Sequence, residues 1–460
     1  MIEKSIDPTV FRTYDIRGIV EEQLNRTTIY AISRAIASFA ASQNEKNIIV
    51  ARDGRLSGLS LSDALIQGLV DSGCHVTDVG MVPTPVLYFA THILKIPNGV
   101  MLTGSHNPAN YNGLKIVIGG KTLAENDIQD ILRRTVKEQF IHGEGKFSNT
   151  DIIPTYIQKI KNDVRLEKLL KVVIDCGNGV TGIVAPALFE QLNCDVIPMY
   201  CEIDGNFPNH HPDPTDPNNL QDLITRVKQE KADVGLAFDG DGDRLGVVTK
   251  EGNIIWADRL LMLYAIDLLK RYPGSEILFD VKCTTHLAKV IQHHGGKPIM
   301  YKTGHSLIKG KMLADNILLA GEMSGHLFFK ERWYGFDDGI YAAARLLEIL
   351  SQDERSPQET FNDLPDGFNT PELRLPIPEK EKFAFMERFI KRAHFPNATI
   401  FKIDGLRVDF KDGWGLLRCS NTTPCLILRF EGDNEEALVR IQQQFRQQLL
   451  ALDPTLILPF

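Results

Sequence analysis

The sequence predicts an α/β protein: three similar mixed-sheet α/β domains, then one smaller α+β domain. Three observations predict it. Short apolar strands running into an aspartate recur at NIIVARDG (47–54), KVVIDCGNG (171–179) and EILFDVK (276–282). Each is followed by a segment with helical apolar spacing, at 59–72, 180–193 and 285–294, and then by another strand, at 74–80, 194–200 and 297–304. Strand, helix and strand of these lengths form a βαβ crossover, hence a mostly parallel sheet. Each copy later offers an apolar strand that runs into a polar, glycine-rich loop: GVMLTGSHNP (99–108), DVGLAFDGDGDR (233–244) and ILLAGEMSGH (317–326).

Loops at the carboxyl ends of sheet strands are where α/β folds place their sites. Three similar domains therefore deliver one polar loop each toward a shared cleft. The pattern stops after a polar stretch at 356–369. A strand (372–376) and a charged helix (379–393) follow. GLRVDF, GLLRCS and PCLILRF read as antiparallel strands, with KDGWG as a hairpin turn, and a helix at 434–450 closes the unit. The expected domains are 1–150, 151–253, 254–367 and 368–460.

Composition agrees. The 460 residues are 43% hydrophobic and 24% charged, ordinary values for a globular chain. No apolar run approaches the ~18–20 residues that span a bilayer, and no signal peptide is visible, so neither membrane nor export is expected. The longest apolar candidate, 260–269, carries Asp267. Net charge is −8, from 51 basic and 59 acidic residues. An acidic chain without a long basic run is a poor nucleic-acid binder, and anions must be bound in local pockets. The seven cysteines show no C-x-x-C spacing, which argues against zinc and suits reduced thiols in the cytoplasm. No long apolar stripe announces an interface, so a monomer is expected.

Four loops carry candidate chemistry. In Thr103-Gly-Ser-His-Asn-Pro108, glycine permits an unusual turn and proline ends regular pairing. Ser105 is held out at a strand end, although a plain polar turn reads the same way. In Asp239-Gly-Asp-Gly-Asp-Arg244, three carboxylates at i, i+2 and i+4 repel one another unless a cation neutralises them. Hard divalent ions take oxygen ligands, and Mg²⁺ couples carboxylates to phosphate oxygens. An EF-hand is excluded, because Arg244 stands where its glycine belongs and Lys250 where its glutamate belongs.

In Gly321-Glu-Met-Ser-Gly-His326, an ionised carboxylate can accept hydrogen bonds from two adjacent sugar hydroxyls. Helix capping by Ser324 is the alternative. In Arg418-Cys-Ser-Asn-Thr-Thr-Pro424, one guanidinium with Ser420, Asn421 and Thr422 suits the oxygens of a phosphate monoester. Arg12, Tyr14 and Arg17 lie in FRTYDIRG (11–18), Lys115 lies in NGLK, and His305 follows Lys302-Thr-Gly at the end of a strand. A desolvated lysine near a cation or phosphate can accept a proton.

In combination the sequence resembles the α-D-phosphohexomutases, the bacterial phosphomannomutase/phosphoglucomutase subgroup in particular. TGSHNP (103–108), DGDGDR (239–244), GEMSGH (321–326) and RCSNTTP (418–424) occur in the family's order, one per domain. YDIRG (14–18), NGLK (112–115) and KTGHS (302–306) also fit. The resemblance implies three α/β domains and a TATA-box-binding-protein-like C-terminal domain. It implies that Ser105 is the phosphoserine and that Asp239, Asp241 and Asp243 hold Mg²⁺ with a phosphoserine oxygen. Glu322 and Ser324 would grip sugar hydroxyls O3 and O4, and Arg418, Ser420, Asn421 and Thr422 the phosphate not being transferred. Tyr14, Arg17, Arg244, Lys282, Gly304, His305 and His326 are further implied site residues. Lys115 and His305 are the candidates for moving the hydroxyl proton. The expected reaction passes a phosphoryl group between C6 and C1 of mannose and glucose phosphates through a hexose 1,6-bisphosphate. Rival readings are a phosphoglucosamine mutase, an aspartate-nucleophile phosphatase and a non-catalytic phosphosugar-binding protein.

Overall fold

The computed structural model describes residues 6–420 and 423–460. The chain divides into two compact units. One comprises the chain up to Leu260 together with His305–Asp363, and the other comprises Leu261–Gly304 and Leu364–Phe460.

In the first unit, one mixed sheet has the strand order Ile16–Ile19, Tyr111–Ile118, Gly99–Leu102, Asn47–Arg52, His75–Met81 and Phe147–Asn149. Asn47–Arg52 pairs in parallel with both His75–Met81 and Gly99–Leu102. The first βαβ crossover is thereby formed, with the helix Gly58–Val70 between its strands. Tyr111–Ile118 is antiparallel to both of its main neighbours. Ile48, Val50, Val100 and Leu102 are fully buried among Ile32, Phe39 and Leu65 from the covering helices. Burial on both faces is what a continuous apolar run such as IIVA demands. The helix Arg26–Ser42 starts where the Asn25 side chain accepts from the amides of Thr27 and Thr28, and the Asn25 amide donates to Thr28 Oγ1.

The second sheet of this unit runs Ile254–Ile255, Leu245–Thr249, Val234–Phe238, Lys171–Asp175 and Asp195–Met199. Lys171–Asp175 is parallel to both Val234–Phe238 and Asp195–Met199. The expected helix at 180–193 is broken into a 3₁₀ turn at Val180–Ile183 and a helix at Ala185–Gln191 that carries Pro186 in its first turn. Proline is tolerated there because its missing N–H would find no intrahelical partner anyway. Leu319–Gly321 and Leu327–Phe329 form a short antiparallel hairpin.

In the second unit, Glu276–Asp280 and Lys297–Tyr301 pair in parallel around the helix Thr285–His293. Its antiparallel sheet has the order Phe368–Asn369, Cys425–Gly432, Gly413–Cys419, Leu406–Phe410 and Thr399–Phe401. The helices Lys382–Arg392 and Glu435–Leu452 cover it through Phe389 and Phe445. The hairpin turn contracts to Lys411 and Asp412, because Gly413 already pairs with Phe410. Trp414 and Gly415, expected in the turn, are strand residues, and the Trp414 indole is fully buried against Arg407. Among the described residues no helix is long and apolar enough to cross a membrane.

Candidate active site

Ser105 follows the strand Gly99–Leu102 in a left-handed conformation, φ 49°, which non-glycine residues rarely adopt. The surroundings over-determine it. Thr103 Oγ1 accepts from the Ser105 amide at 2.8 Å and donates to Asp53 Oδ2 at 2.7 Å. Asp53 directly follows the first repeat's strand and also accepts from the Gly104 amide. Arg55 then reaches under the loop. Its guanidinium donates to the carbonyls of Ser105 (2.8 Å), Asn107 (2.6 Å), Pro108 (2.6 Å) and Tyr111 (2.9 Å), and to Asp53 (3.2 Å). Few groups but a rigid guanidinium fork satisfy so many acceptors at once. A Cβ at position 104 would lie 2.4 Å from that guanidinium, so only glycine fits there.

The acidic loop leaves the parallel strand Val234–Phe238 and returns as Leu245–Thr249. Gly240 lets it touch the serine loop, since a Cβ there would meet the Ser105 carbonyl at 2.4 Å. Ser105 Oγ donates to Asp239 Oδ2 at 2.8 Å and lies 3.0 Å from His106 Nδ1. Asp241 Oδ2 accepts from Thr84 Oγ1 at 2.5 Å and lies 3.2 Å from Thr103 Oγ1. Lys115 Nζ bridges Asp241 (2.7 Å) and Asp243 (2.5 Å).

All three carboxylates are fully buried. Burial and the charges of its two neighbours push Asp239 well above the usual carboxylate range. For Asp243 burial acts the same way, but Lys115 and His326 outweigh it and hold the group well below that range. Burial opposes the Lys115 charge, yet the two aspartates raise its affinity for a proton well above normal, so it is a cation here.

The donor set fits a hard divalent ion. Oxygens from Asp239, Asp241 and Asp243 lie within 4.8 Å of one another, and the buried Asp241 Oδ1 accepts no hydrogen bond among the described residues. The chain therefore has an acidic trio that can hold a metal ion.

The hairpin loop 322–326 joins this site through its backbone. The Leu245 amide donates to the Gly325 carbonyl, and Arg244 and His326 form an isolated bridge. His326 lies between Asp243 (3.2 Å) and Glu322 (3.1 Å), with Ser324 Oγ 3.0 Å from its Nδ1. Burial disfavours its charge, but the two carboxylates prevail and raise it to about 9. Ser324 caps no helix, because the next element is the strand Leu327–Phe329.

His305 is the first residue of the helix His305–Asp315 rather than a strand end. Its ring stacks on His326 at 5.4 Å and meets Tyr14 edge-on at 5.9 Å. Burial, only partly opposed by Asp337 3.2 Å away, lowers its pKa and keeps the imidazole neutral. Arg17 pairs with Asp15 at 2.5 Å and also donates to Asn107 Oδ1. The Arg244 amide donates to Asp239 Oδ1 at 3.1 Å. Tyr14, Arg17, Ser105, Lys115, the three aspartates, Arg244, His305, Glu322, Ser324 and His326 thus share the first unit.

The remaining candidates belong to the second unit. Lys282 pairs with Glu372 at 3.3 Å. Asp404 accepts from Arg418 Nε at 3.0 Å and from the amide of Thr303, the residue before Gly304. Lys382 Nζ donates to the Ser420 carbonyl at 2.6 Å, and Ser420 Oγ is 2.8 Å from Thr423 Oγ1. Asn421 and Thr422 lie outside the described residues.

Sequence reasoning missed Arg55, Thr84, Asp337, Lys309 and Lys382. Asp337 joins Lys309 Nζ at 2.8 Å and His305, and lies within ligand distance of Asp243 and His326. Only Arg55 left a signal, two residues beyond one of the three recurrent aspartates.

The chain matches four family models in succession. They are phosphoglucomutase/phosphomannomutase alpha/beta/alpha domain I over 8–142, domain II over 154–252, domain III over 256–368, and the C-terminal domain over 372–448. It is 57% identical to a phosphomannomutase/phosphoglucomutase of Pseudomonas aeruginosa, over 99% of this chain and 98% of that one. It is 51% identical to a phosphoglucomutase of Neisseria gonorrhoeae, over 99% of both. A crystal structure of a phosphoglucomutase/phosphomannomutase family protein from Burkholderia thailandensis superposes with a TM-score of 0.95 at 47% identity, covering 99% of this chain and all of that one. With all four models matched in order and relatives aligned from end to end, the chain belongs to the phosphoglucomutase/phosphomannomutase family of α-D-phosphohexomutases.

Proposed function

We propose that the protein transfers a phosphoryl group reversibly between C6 and C1 of hexose phosphates, converting mannose 6-phosphate to mannose 1-phosphate and the glucose phosphates likewise. The observation that carries this reading is the 2.8 Å bond between Ser105 Oγ and a carboxylate of the aspartate trio. A hydroxyl and a cation-binding loop in contact are what phosphoryl transfer needs, since its catalysis is mostly positioning and charge neutralisation.

In this reading Ser105 carries the phosphoryl group. The bond from phosphorus to Ser105 Oγ breaks as the free hydroxyl of a hexose monophosphate bonds to phosphorus. The hydroxyl proton passes to a base, Ser105 Oγ takes up a proton as it leaves, and a hexose 1,6-bisphosphate and the free serine hydroxyl result. The sugar then turns, and the serine recovers the other phosphoryl group. His305, neutral through burial, is the better acceptor of the proton. Lys115, Arg17 and Arg244 neutralise charge around the serine loop. Asp239, Asp241 and Asp243 would hold Mg²⁺ together with an oxygen from Ser105, and the bound ion would supply neutralisation of the transferring group.

Glu322 and Ser324 would read O3 and O4. Glucose and mannose differ only at C2, so both would be accepted. Tyr14, Lys282, Gly304 and His326, with Arg418, Ser420, Asn421 and Thr422, would bind the rest of the substrate. The working form would be a cytoplasmic monomer with domains at 1–150, 151–253, 254–367 and 368–460.

The test combines phosphopeptide mass with a substrate panel. We expect a phosphoryl group on Ser105, turnover of mannose and glucose phosphates at comparable rates, and no turnover by Ser105→Ala. A phosphoryl group on Asp239 would reassign the chemistry to a phosphatase. Preference for glucosamine 6-phosphate over both hexoses would make the protein a phosphoglucosamine mutase.

A further inference from the structure

We propose that Cys176 and Cys201 form a reversible disulfide on exposure to a peroxide, making the pair a redox modification site beside the acidic loop. The two sulfurs are 3.4 Å apart. Closing to a disulfide length requires a movement of about 1.4 Å.

The approach is built into the fold. The strands Lys171–Asp175 and Asp195–Met199 run in parallel, and the Cys176 amide extends the ladder to the Met199 carbonyl. Tyr200 then takes a left-handed conformation, φ 50°. Alternation along an undisturbed strand would carry residues 176 and 201 to opposite faces. The turn at Tyr200 instead brings the Cys201 side chain back against Cys176.

The two thiols differ in the way a reactive and a resolving cysteine must. Cys201 is partly exposed, whereas Cys176 is fully buried. The contact between the sulfurs lowers the Cys201 thiol from its ordinary value, and the same contact with burial raises Cys176 well above it. Burial alone pushes Cys74 up to about 11 and Cys194 up to about 12, which leaves them inert.

The chemistry balances with hydrogen peroxide as the oxidant. The Cys201 sulfur attacks one peroxide oxygen, the O–O bond breaks, and a sulfenic acid and a water are formed. The Cys176 sulfur then attacks the Cys201 sulfur. The S–O bond breaks, and the hydroxyl leaves as water with the Cys176 proton. Two thiols and one peroxide become one disulfide and two waters. The loop that begins at Cys176 donates from the Val180 amide to the Gly240 carbonyl, between Asp239 and Asp241.

The experiment treats the whole protein with hydrogen peroxide, caps remaining thiols with N-ethylmaleimide, and maps non-reduced peptides by mass. The expected product links the Cys176 and Cys201 peptides, is two hydrogens lighter than their sum, and separates on reduction with dithiothreitol. In Cys176→Ser, Cys201 should proceed to sulfinic and sulfonic acids that dithiothreitol does not restore. In Cys201→Ser, Cys176 should stay a thiol. A wild-type protein whose Cys201 overoxidises without linking, or in which both thiols survive while surface methionines oxidise, overturns the proposal.

Discussion

Ser105 Oγ donates to Asp239 Oδ2 at 2.8 Å, although 134 residues separate the two along the chain. The hydroxyl is held between a left-handed backbone and a carboxylate that burial has pushed toward its neutral form. Ser105→Ala removes the only group at this position able to carry a phosphoryl, while the loop remains anchored through its carbonyls. Turnover of glucose 1-phosphate should fall by at least about 10³-fold with the unfolding midpoint nearly unchanged. Steady-state rates and a thermal melt on the same sample check both halves.

Arg55 is the structural keystone of that loop. Truncation removes the guanidinium donor from four carbonyls, of which that of Pro108 keeps the Tyr111 amide, and leaves the buried Asp53 without its countercharge. Breaking a buried pair from one side costs about 3–5 kcal/mol. Arg55→Ala should therefore lose stability in urea by about that amount. A loss below about 1 kcal/mol would mean the loop is held elsewhere.

Lys115 stands between Asp241 and Asp243 as their countercharge. Lys115→Met strips that cation and leaves buried carboxylates, which a divalent ion can neutralise. The variant should melt well below wild type in a chelator and recover more than wild type on adding Mg²⁺, since a ligand bound only by the native state stabilises it by mass action. Equal metal-induced shifts in the two proteins would refute the assignment of the trio as the ion's ligands.

His210 Nε2 lies 3.0 Å from Asp175, the aspartate that ends the second repeat's strand. Burial lowers the imidazole's pKa, but the hydrogen bond and charge of Asp175 outweigh it, and the net shift is upward from 6.5. The native state thus holds the proton more tightly than the unfolded chain. The resulting stabilisation is full below about pH 6.5 and is lost as pH rises through the raised native pKa. Wild type should exceed His210→Asn in stability at about pH 5.5, and the gap should shrink by about pH 8.5. A gap that widens with pH would reverse the sign of this coupling.

Asp338 shows a linkage of the same sign over a lower pH range. Burial raises its carboxyl to about 7, against donors from Tyr341, Tyr156 and Trp333. A raised carboxyl costs stability as pH climbs from about 4 toward that value. Asp338→Asn, neutral throughout, should flatten the decline of stability between about pH 5 and about pH 7.5. Denaturant midpoints across that range provide the measurement, and parallel curves for the two proteins would count against it.

Much of the fold was legible because its signals are local. The parallel pairs at Asn47–Arg52, Lys171–Asp175 and Glu276–Asp280 follow from apolar runs, helical spacing and aspartates at strand ends. Where a local signal was misleading, a neighbouring interaction prevailed. KDGWG has turn composition, yet Trp414 is drawn into the strand by burial and by its bond to Glu431. His305 looked like a strand end, but Gly304 ends the extended path and a helix begins.

Residue types and their order along the chain determined the family, the strand–helix–strand repeats and the loops that bear Ser105 and the aspartate trio. Tertiary structure alone decided what those loops touch. The grip of Arg55 on four carbonyls, the bond from Thr84 to Asp241, the Lys115 bridge and the contact between Cys176 and Cys201 all join segments that no periodicity relates. Side-chain spacing reports which face of a single element is buried. Which polar groups meet across elements depends on the packing of whole sheets, and only there do charges and donors find partners that water no longer supplies.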